Sequence, residues 1–143
     1  MIDRVAYVAM HTSPLLQPGV GDAGGMNVYL DRLARTMATR GIGVTTFTRR
    51  TDRDAPEVVD VVDGYRVVRL TAGPTEVLSI GDMKPYAADF ARALVTWMDD
   101  HGEDFDVVHT HYWLSGRAGV EVKRTRRIPL ANSFHTLGRV KDR

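Results

Sequence analysis

Apolar positions along the chain fall into short unbroken runs separated by longer amphipathic stretches, and this alternation predicts strands and helices in turn. Val5–Met10 (VAYVAM) is a continuous apolar run bounded by polar residues, which reads as a buried strand. Residues 11–25 follow as a long loop rich in glycine and proline. A loop of that length in a small domain is usually functional. Over residues 26–40, Val28, Leu30, Leu33, Ala34, Met37 and Ala38 recur near helical spacing, with Gly41 as a suitable stop. Val44–Thr48 predicts the next strand. Asp63-Gly64 between Val58–Val62 and Tyr65–Leu70 predicts a β-hairpin closed by a type I′ turn. Residues 72–85 read as a second loop. Residues 86–101 read as a helix with Phe90, Leu94, Trp97 and Met98 on one face. Phe105–His109 predicts a strand, Trp113–Lys123 a short helix, and Ile128–Ser133 a last strand opened by Pro129.

The order is strand, helix, strand, hairpin, helix, strand, helix, strand. It predicts an α/β fold: a Rossmann-like, mostly parallel sheet with helices on both faces and one β-hairpin at its edge. Ligands of such sheets bind outside the carboxyl ends of the strands. Those ends carry His11, Thr48-Arg49, Thr110–Tyr112 and His135-Thr136, so the polar residues are expected to converge there.

Composition narrows the chemistry. The 143 residues predict one domain spanning 1–143, and 43% hydrophobic with 26% charged residues is a globular balance. Without cysteine there is no disulfide scaffold, thiolate metal site or cysteine nucleophile. No run approaches membrane-spanning length and the N-terminus lacks a signal-peptide layout, so a cytoplasmic protein is expected. The net charge of +1 hides an asymmetry: residues 1–50 carry +3, 51–106 carry −8 and 107–143 carry +6. The basic end has no interleaved aromatics, so it reads as a solvated helix face and tail rather than a nucleic-acid surface.

Gly19-Val20-Gly21-Asp22-Ala23-Gly24 matches G-x-G-x-x-G by letters, but it starts eight residues after the strand, and Arg49-Arg50 stand where an acidic ribose partner belongs. An NADP-binding reading therefore stays a distant alternative. Gly24-Gly25 at the start of the first helix reads better as a local anion site of exposed amides. His11, His111 and His135 at strand ends could hold zinc, but no Asp or Glu neighbours them as support. They more readily line a polar pocket. Asn27, Tyr112, Ser115, Ser133 and Thr136 add neutral hydrogen-bonding groups at that edge, which suit a polyol. A structural alternative makes Ser115 a helix cap, Asn27 a solvated first-turn residue and His109 a core residue.

Three segments carry a family resemblance: HTSPLLQPGVGDAGGMNVYL (11–30), VVHTHYWLSGRAG (107–119) and IPLANSFHTLGRVK (128–141). They resemble the acceptor-side, N-terminal domain of retaining glycosyltransferases of family 4 and the GT-B fold. Within that family they are similar to the mycothiol-pathway inositol-phosphate N-acetylglucosaminyltransferases; sucrose-phosphate synthases and sucrose synthases share similar motifs. The resemblance covers nearly the whole chain. It implies transfer of a sugar from a nucleotide carrier, a UDP-sugar, to a polyol or sugar-phosphate acceptor such as an inositol phosphate, with no metal and no cofactor beyond that co-substrate. By resemblance, Gly24 and Gly25 meet the donor phosphate. His11, Thr12, Asn27, Lys84, Tyr112 and Thr136 surround the acceptor, and His135 is the catalytic histidine beside the transferred sugar. Where the mycothiol members carry a lysine after the AGP loop, this chain has Ile80, with Lys84 four residues on. The family's donor-binding residues belong to a C-terminal domain, which is expected to be a partner of this chain rather than part of it. The chain is thus expected to be inactive alone. The alternatives are a non-catalytic binding or interaction module, or half of a split enzyme, with self-association through the exposed cleft face.

Overall fold

The computed structural model describes residues 1–17 and 24–135. Its elements are β1 (Arg4–Val8), α1 (Gly25–Thr39), β2 (Gly43–Arg49), β3 (Val58–Val62), β4 (Tyr65–Leu70), α2 (Ile80–Met83), α3 (Ala87–His101), β5 (Val107–His111), α4 (Trp113–Arg126) and β6 (Leu130–Ser133). The six strands form one sheet in the order β3-β4-β2-β1-β5-β6. Every neighbouring pair is parallel except the β3–β4 hairpin, which closes one edge. The fold is therefore the α/β sheet that the alternation predicts.

Both faces of the sheet are covered, which is why β1 reads as a continuous apolar run. Ala6, Val8, Phe47, Val68 and Val108 pack against Phe90, Leu94, Trp97 and Met98 of α3 and Leu114, Ala118 and Val122 of α4. Phe47 is fully buried and meets Trp97 and Phe105 edge-on. Val5, Tyr7, Val44, Tyr65 and Val67 face the other way, under Leu30 and Ala34 of α1. Each large side chain removed from water in these layers contributes about 1.5–3 kcal/mol before entropy is counted.

Several boundaries differ from the sequence pattern. β5 runs two residues later than Phe105–His109. Phe105 is a core residue, but Asp106 uses its carboxylate to accept the backbone N–H groups of Asp3 and Arg4 at 2.8 and 2.9 Å. That turn precedes the strand and pushes its carboxyl end to His111. The loop at 72–85 contains α2, which Ser79 caps by accepting the Asp82 N–H, and it runs on into a 3₁₀ turn at Lys84–Tyr86. The hairpin turn is not type I′. Gly64 has φ +81°, but Asp63 is not among the described residues with positive φ, and a bulge between Asp60 and Val62 takes up the twist instead. α1 does end as expected, with Gly41 in the left-handed region at φ +82° just past the helix. Among the described residues no helix is long and apolar enough to cross a membrane.

Helix α4 carries glycine at 116 and 119, against helix propensity, because it lies directly on β5 and β6. A Cβ at Gly119 would stand 2.5 Å from the Thr110 methyl carbon and 2.9 Å from Leu130 Cδ1. Gly119→Ala should therefore lower stability by about 1–2 kcal/mol in urea unfolding, since overpacking outweighs the helix gain of up to about 1 kcal/mol. An unchanged or raised midpoint would show that the helix–sheet distance can relax. The basic residues Lys123, Arg124 and Arg127 of this helix's last turn and cap are exposed, as a solvated face requires, while Arg139, Lys141 and Arg143 lie outside the described residues.

Candidate functional site

The strand ends that the sequence places at one edge do meet there. Chain direction turns sharply after β1, and a buried network fixes the turn. Ser115, inside α4 and fully buried, accepts the Met10 N–H at 2.9 Å. It is thus a tie between α4 and β1, not a helix cap. Asn27 is also buried rather than solvated. Its amide N–H groups donate to Thr12 Oγ1 at 2.8 Å and to the Ser13 carbonyl at 2.5 Å, and its Oδ1 accepts the Gly24 N–H at 3.0 Å. The first turn of α1 and the loop after β1 are locked together by this one side chain. Thr12 is buried in the same network, which leaves Gly24 at the N-cap and Gly25 exposed at the helix start.

After β5 the backbone departs from ordinary geometry. Tyr112 has φ +81° and ψ +155°, a region used almost only by glycine. Holding a tyrosine there costs on the order of 1–3 kcal/mol, so the surroundings must enforce it. Its N–H donates to the Ser133 carbonyl at 2.7 Å, and its ring lies on that of His11 with centroids 4.5 Å apart. The strain turns the chain from β5 directly into α4.

Three histidines cluster beside this turn. His109 and His111 alternate onto the α1 side of β5, where Tyr7 meets both rings edge-on. His109 Nε2 is 2.8 Å from Ser133 Oγ. His111 Nδ1 is 3.0 Å from His135 Nε2, and Tyr29 approaches both of those rings. His111 is fully buried, and its Nε2 has no hydrogen-bond partner among the described residues. Burial, followed by the neighbouring His109 and His135, pushes the His111 imidazole down to about 3. Burial and then His135 lower His109, and burial lowers His135. At neutral pH the cluster is uncharged. Burial, then Tyr29, raises the Tyr7 phenol to about 12, so it too stays neutral.

A cavity of about 330 Å³ opens at the carboxyl ends of β1, β2 and β4. Met10, His11, Thr12, Thr48, Arg49 and Leu78 are among its walls. A hollow of about 380 Å³ lies at the opposite edge, against Arg4, Gly43 and the hairpin turn, away from the convergent polar groups.

The structure thus brings His11, Thr12 and Tyr112 together, with Asn27 and Gly24 behind them and the His111–His135 pair alongside. It does not bring Lys84 to the cavity. Lys84 is exposed on the 3₁₀ turn while its neighbour Met83 lines the wall. Thr136 and the glycines of G-x-G-x-x-G before Gly24 lie outside the described residues. Among the described residues no three His, Asp or Glu side chains gather as a metal-ligand set. Sequence reasoning noted Arg49 at a strand end but missed its role. It is buried, and its guanidinium donates to the carbonyls of Ala72, Pro74 and Glu76 at 3.4, 2.6 and 2.5 Å. The signal available was that Arg49 continues the run of β2, a strand buried on both faces, so its side chain is directed onto a covered face.

With this geometry in place, the chain is similar to known proteins along nearly its whole length. Residues 24–143 match the glycosyl transferase 4-like domain, and the chain belongs to that family. It is 45% identical over 142 residues to the D-inositol 3-phosphate glycosyltransferase of Corynebacterium diphtheriae, covering 99% of this chain and 33% of that protein. It is 48% identical over 143 residues to the enzyme of the same name from Nocardiopsis dassonvillei, covering 97% of this chain and 33% of that one. Among solved structures, sucrose-phosphate synthase from Thermosynechococcus elongatus superimposes with a TM-score of 0.90 at 30% identity, over 97% of this chain and 34% of that one. The chain spans about a third of the length of the curated relatives it matches.

Proposed function

We propose that this chain is the acceptor-side domain of a retaining glycosyltransferase that moves a sugar from a nucleotide carrier, a UDP-sugar, to a polyol or sugar phosphate such as D-inositol 3-phosphate. The observation that carries this reading is a 330 Å³ cavity at the carboxyl edge of the sheet, with His11 and Thr12 in its wall and Tyr112 stacked on His11, in a chain of the glycosyl transferase 4-like family. Neutral donors and acceptors on a preorganised wall suit hydroxyl groups. The exposed start of α1 at Gly25 offers partial positive charge to a diphosphate. His135 is exposed just past β6 and held against His111, where it can meet a transferred sugar lying between two domains.

In the reaction, the acceptor hydroxyl attacks the anomeric carbon on the face from which the diphosphate departs. The C–O bond to the diphosphate breaks as the new one forms, and the hydroxyl proton passes to the departing diphosphate oxygen. This chain's part is to hold the acceptor in line and to steady the departing charge. Leu16, Tyr29 and Phe134 are exposed apolar side chains. Leu16 lines the cavity, Tyr29 packs against His135 and Phe134 precedes it in the chain, so each offers apolar surface to a donor-binding domain that closes over this edge. A second copy of this chain is the other candidate for that surface.

The test is a titration of the ¹⁵N-labelled chain with D-inositol 3-phosphate and, separately, with fructose 6-phosphate. Amide shifts centred on His11, Thr12 and Tyr112 are expected with at least one of them. No shift with either at millimolar concentration would remove the acceptor reading. The chain alone is expected to leave UDP-sugars unconsumed. Measured turnover would show that no second domain is needed.

A further inference from the structure

We propose that His111 is a positioning residue that fixes the tautomer of His135, so that His135 presents a protonated Nδ1 at the functional edge. The assignment starts from His111, which is wholly enclosed between β1, α1 and β6. Its Nδ1 lies 3.0 Å from His135 Nε2, while its Nε2 is buried without a partner among the described residues. Two neutral imidazoles at that distance share one hydrogen, so one ring donates and the other accepts. Two arrangements are open. If His135 donated, His111 would carry its own proton on Nε2, and a buried N–H would stand with no acceptor. If His111 donates from Nδ1, its buried Nε2 is only a bare lone pair. Orphaned buried N–H groups are the rarer and costlier defect, which selects the second arrangement. His135 Nε2 is then the acceptor, and the His135 proton sits on Nδ1, the nitrogen that no described group engages.

Two further observations agree that this contact is enforced. His135 has φ +56°, in the left-handed region that few non-glycine residues occupy, so its backbone is held by its surroundings. Tyr29 packs edge-on against both rings at centroid distances of 6.2 and 5.6 Å and closes the pair from the α1 side. Among the described residues the rings of Tyr7, Tyr29 and His109 face the pair, and no Asp, Glu, Lys or Arg side chain among those residues contacts it. Fixed in this form, His135 is a hydrogen-bond donor and not a base. What it donates to, a sugar hydroxyl or a departing oxygen, rests on the transferase reading above. The tautomer itself does not.

The experiment is a long-range ¹H–¹⁵N correlation of the imidazole nitrogens in the intact chain near pH 7.5, with the His135 signals assigned through His135→Gln. The expected spectrum shows His135 as a single tautomer, Nδ1 protonated and Nε2 bare. His111→Phe keeps the ring volume against Tyr7 and removes the donor. It should leave the chain folded, with its urea midpoint held or raised, while His135 moves to an averaged or Nε2-protonated pattern. His111→Asn, whose amide can donate from near the position of Nδ1, should bring the Nδ1-protonated form back. A wild-type His135 protonated on Nε2 or averaged between forms overturns the proposal, and so does an unchanged His135 pattern in His111→Phe. If His111→Phe fails to fold, the wild-type spectrum alone decides. Lost ligand response with the expected tautomer present would count against the transferase reading and leave this assignment standing.

Discussion

Urea unfolding of this chain should show stability draining away as pH falls from 6.5, well above the range where carboxylates usually begin to matter. The source is the histidine cluster. His111, fully buried, is lowered from 6.5 to about 3, first by burial and then by His109 and His135. His109 and His135 are lowered as well. Unfolding releases these rings into water, where they take up protons near 6.5. Between the folded and unfolded values the unfolded state therefore binds more protons, so stability rises with pH through that window and is lost as pH falls through it. It is fully present above 6.5. At about 1.4 kcal/mol per pH unit, His111 alone removes roughly 3 kcal/mol by pH 4.5. That is a large share of the 5–15 kcal/mol typical of a domain. The control is His111→Phe, which should flatten this limb and leave the smaller contributions of His109 and His135. Asp106, held below its usual range by the Asp3 and Arg4 amides, acts with the same sign but only at lower pH. A wild-type profile flat from pH 7.5 to 5, or a His111→Phe profile as steep as wild type, would mean the cluster opens to water without global unfolding.

These histidines also mark where sequence pattern stops being informative. Period-two alternation puts His109 and His111 on one face, and that is how they lie. Pattern does not say how deep they sit. Depth depends on β6, on Tyr7 from β1 and on Tyr29 from α1, which come from distant parts of the chain. The hairpin was legible to the residue, because Asp63-Gly64 is a local turn signal between β-branched arms. The turn type was not, because it depends on the bulge at Asp60–Val62, set by cross-strand register. Phe105 reads as strand because it is apolar, yet it belongs to the core below the strand's start, and the Asp106 contacts with residues 3 and 4 span a hundred positions. Asn27 and Ser115 are small polar residues whose local sequence favours a solvated turn or a cap. Their burial follows from the close approach of the loop after β1 to α1 and α4. The convergence of the site at one edge was legible, since parallel topology alone aligns the strand ends.

Replacing Arg49 by methionine should cost about 2–4 kcal/mol and free the 72–79 segment. Arg49 ends β2 with 3% of its surface exposed, and no carboxylate pairs with it among the described residues. Its compensation is geometric. The planar fork reaches three carbonyls, of Ala72, Pro74 and Glu76, which converge on it because Gly73 has φ +73°. Burial lowers its pKa, with Glu76 and then Tyr86 opposing, but guanidinium keeps its proton at any ordinary pH. Charge-assisted bonds of this kind contribute about 1.5–3 kcal/mol each before the cost of burying the charge is subtracted, which decides for a net of a few kcal/mol rather than the sum. Methionine fills much of the volume, so the loss reports the bonds rather than a void. The Ala72 carbonyl would be left buried without its partner. Those of Pro74 and Glu76 can return to water only if the loop lifts. Val77 and Leu78 line the cavity, so lifting the loop also opens the wall of the proposed acceptor site. Urea unfolding and limited proteolysis read the two effects separately. A lowered midpoint with new cleavage within residues 72–79, and weaker amide shifts on adding the acceptor that binds, is the expected result. A variant within about 0.5 kcal/mol of wild type and no easier to cut would mean the loop is held by Ile80, Leu78 and Tyr86 against the core, and that the arginine is incidental to it.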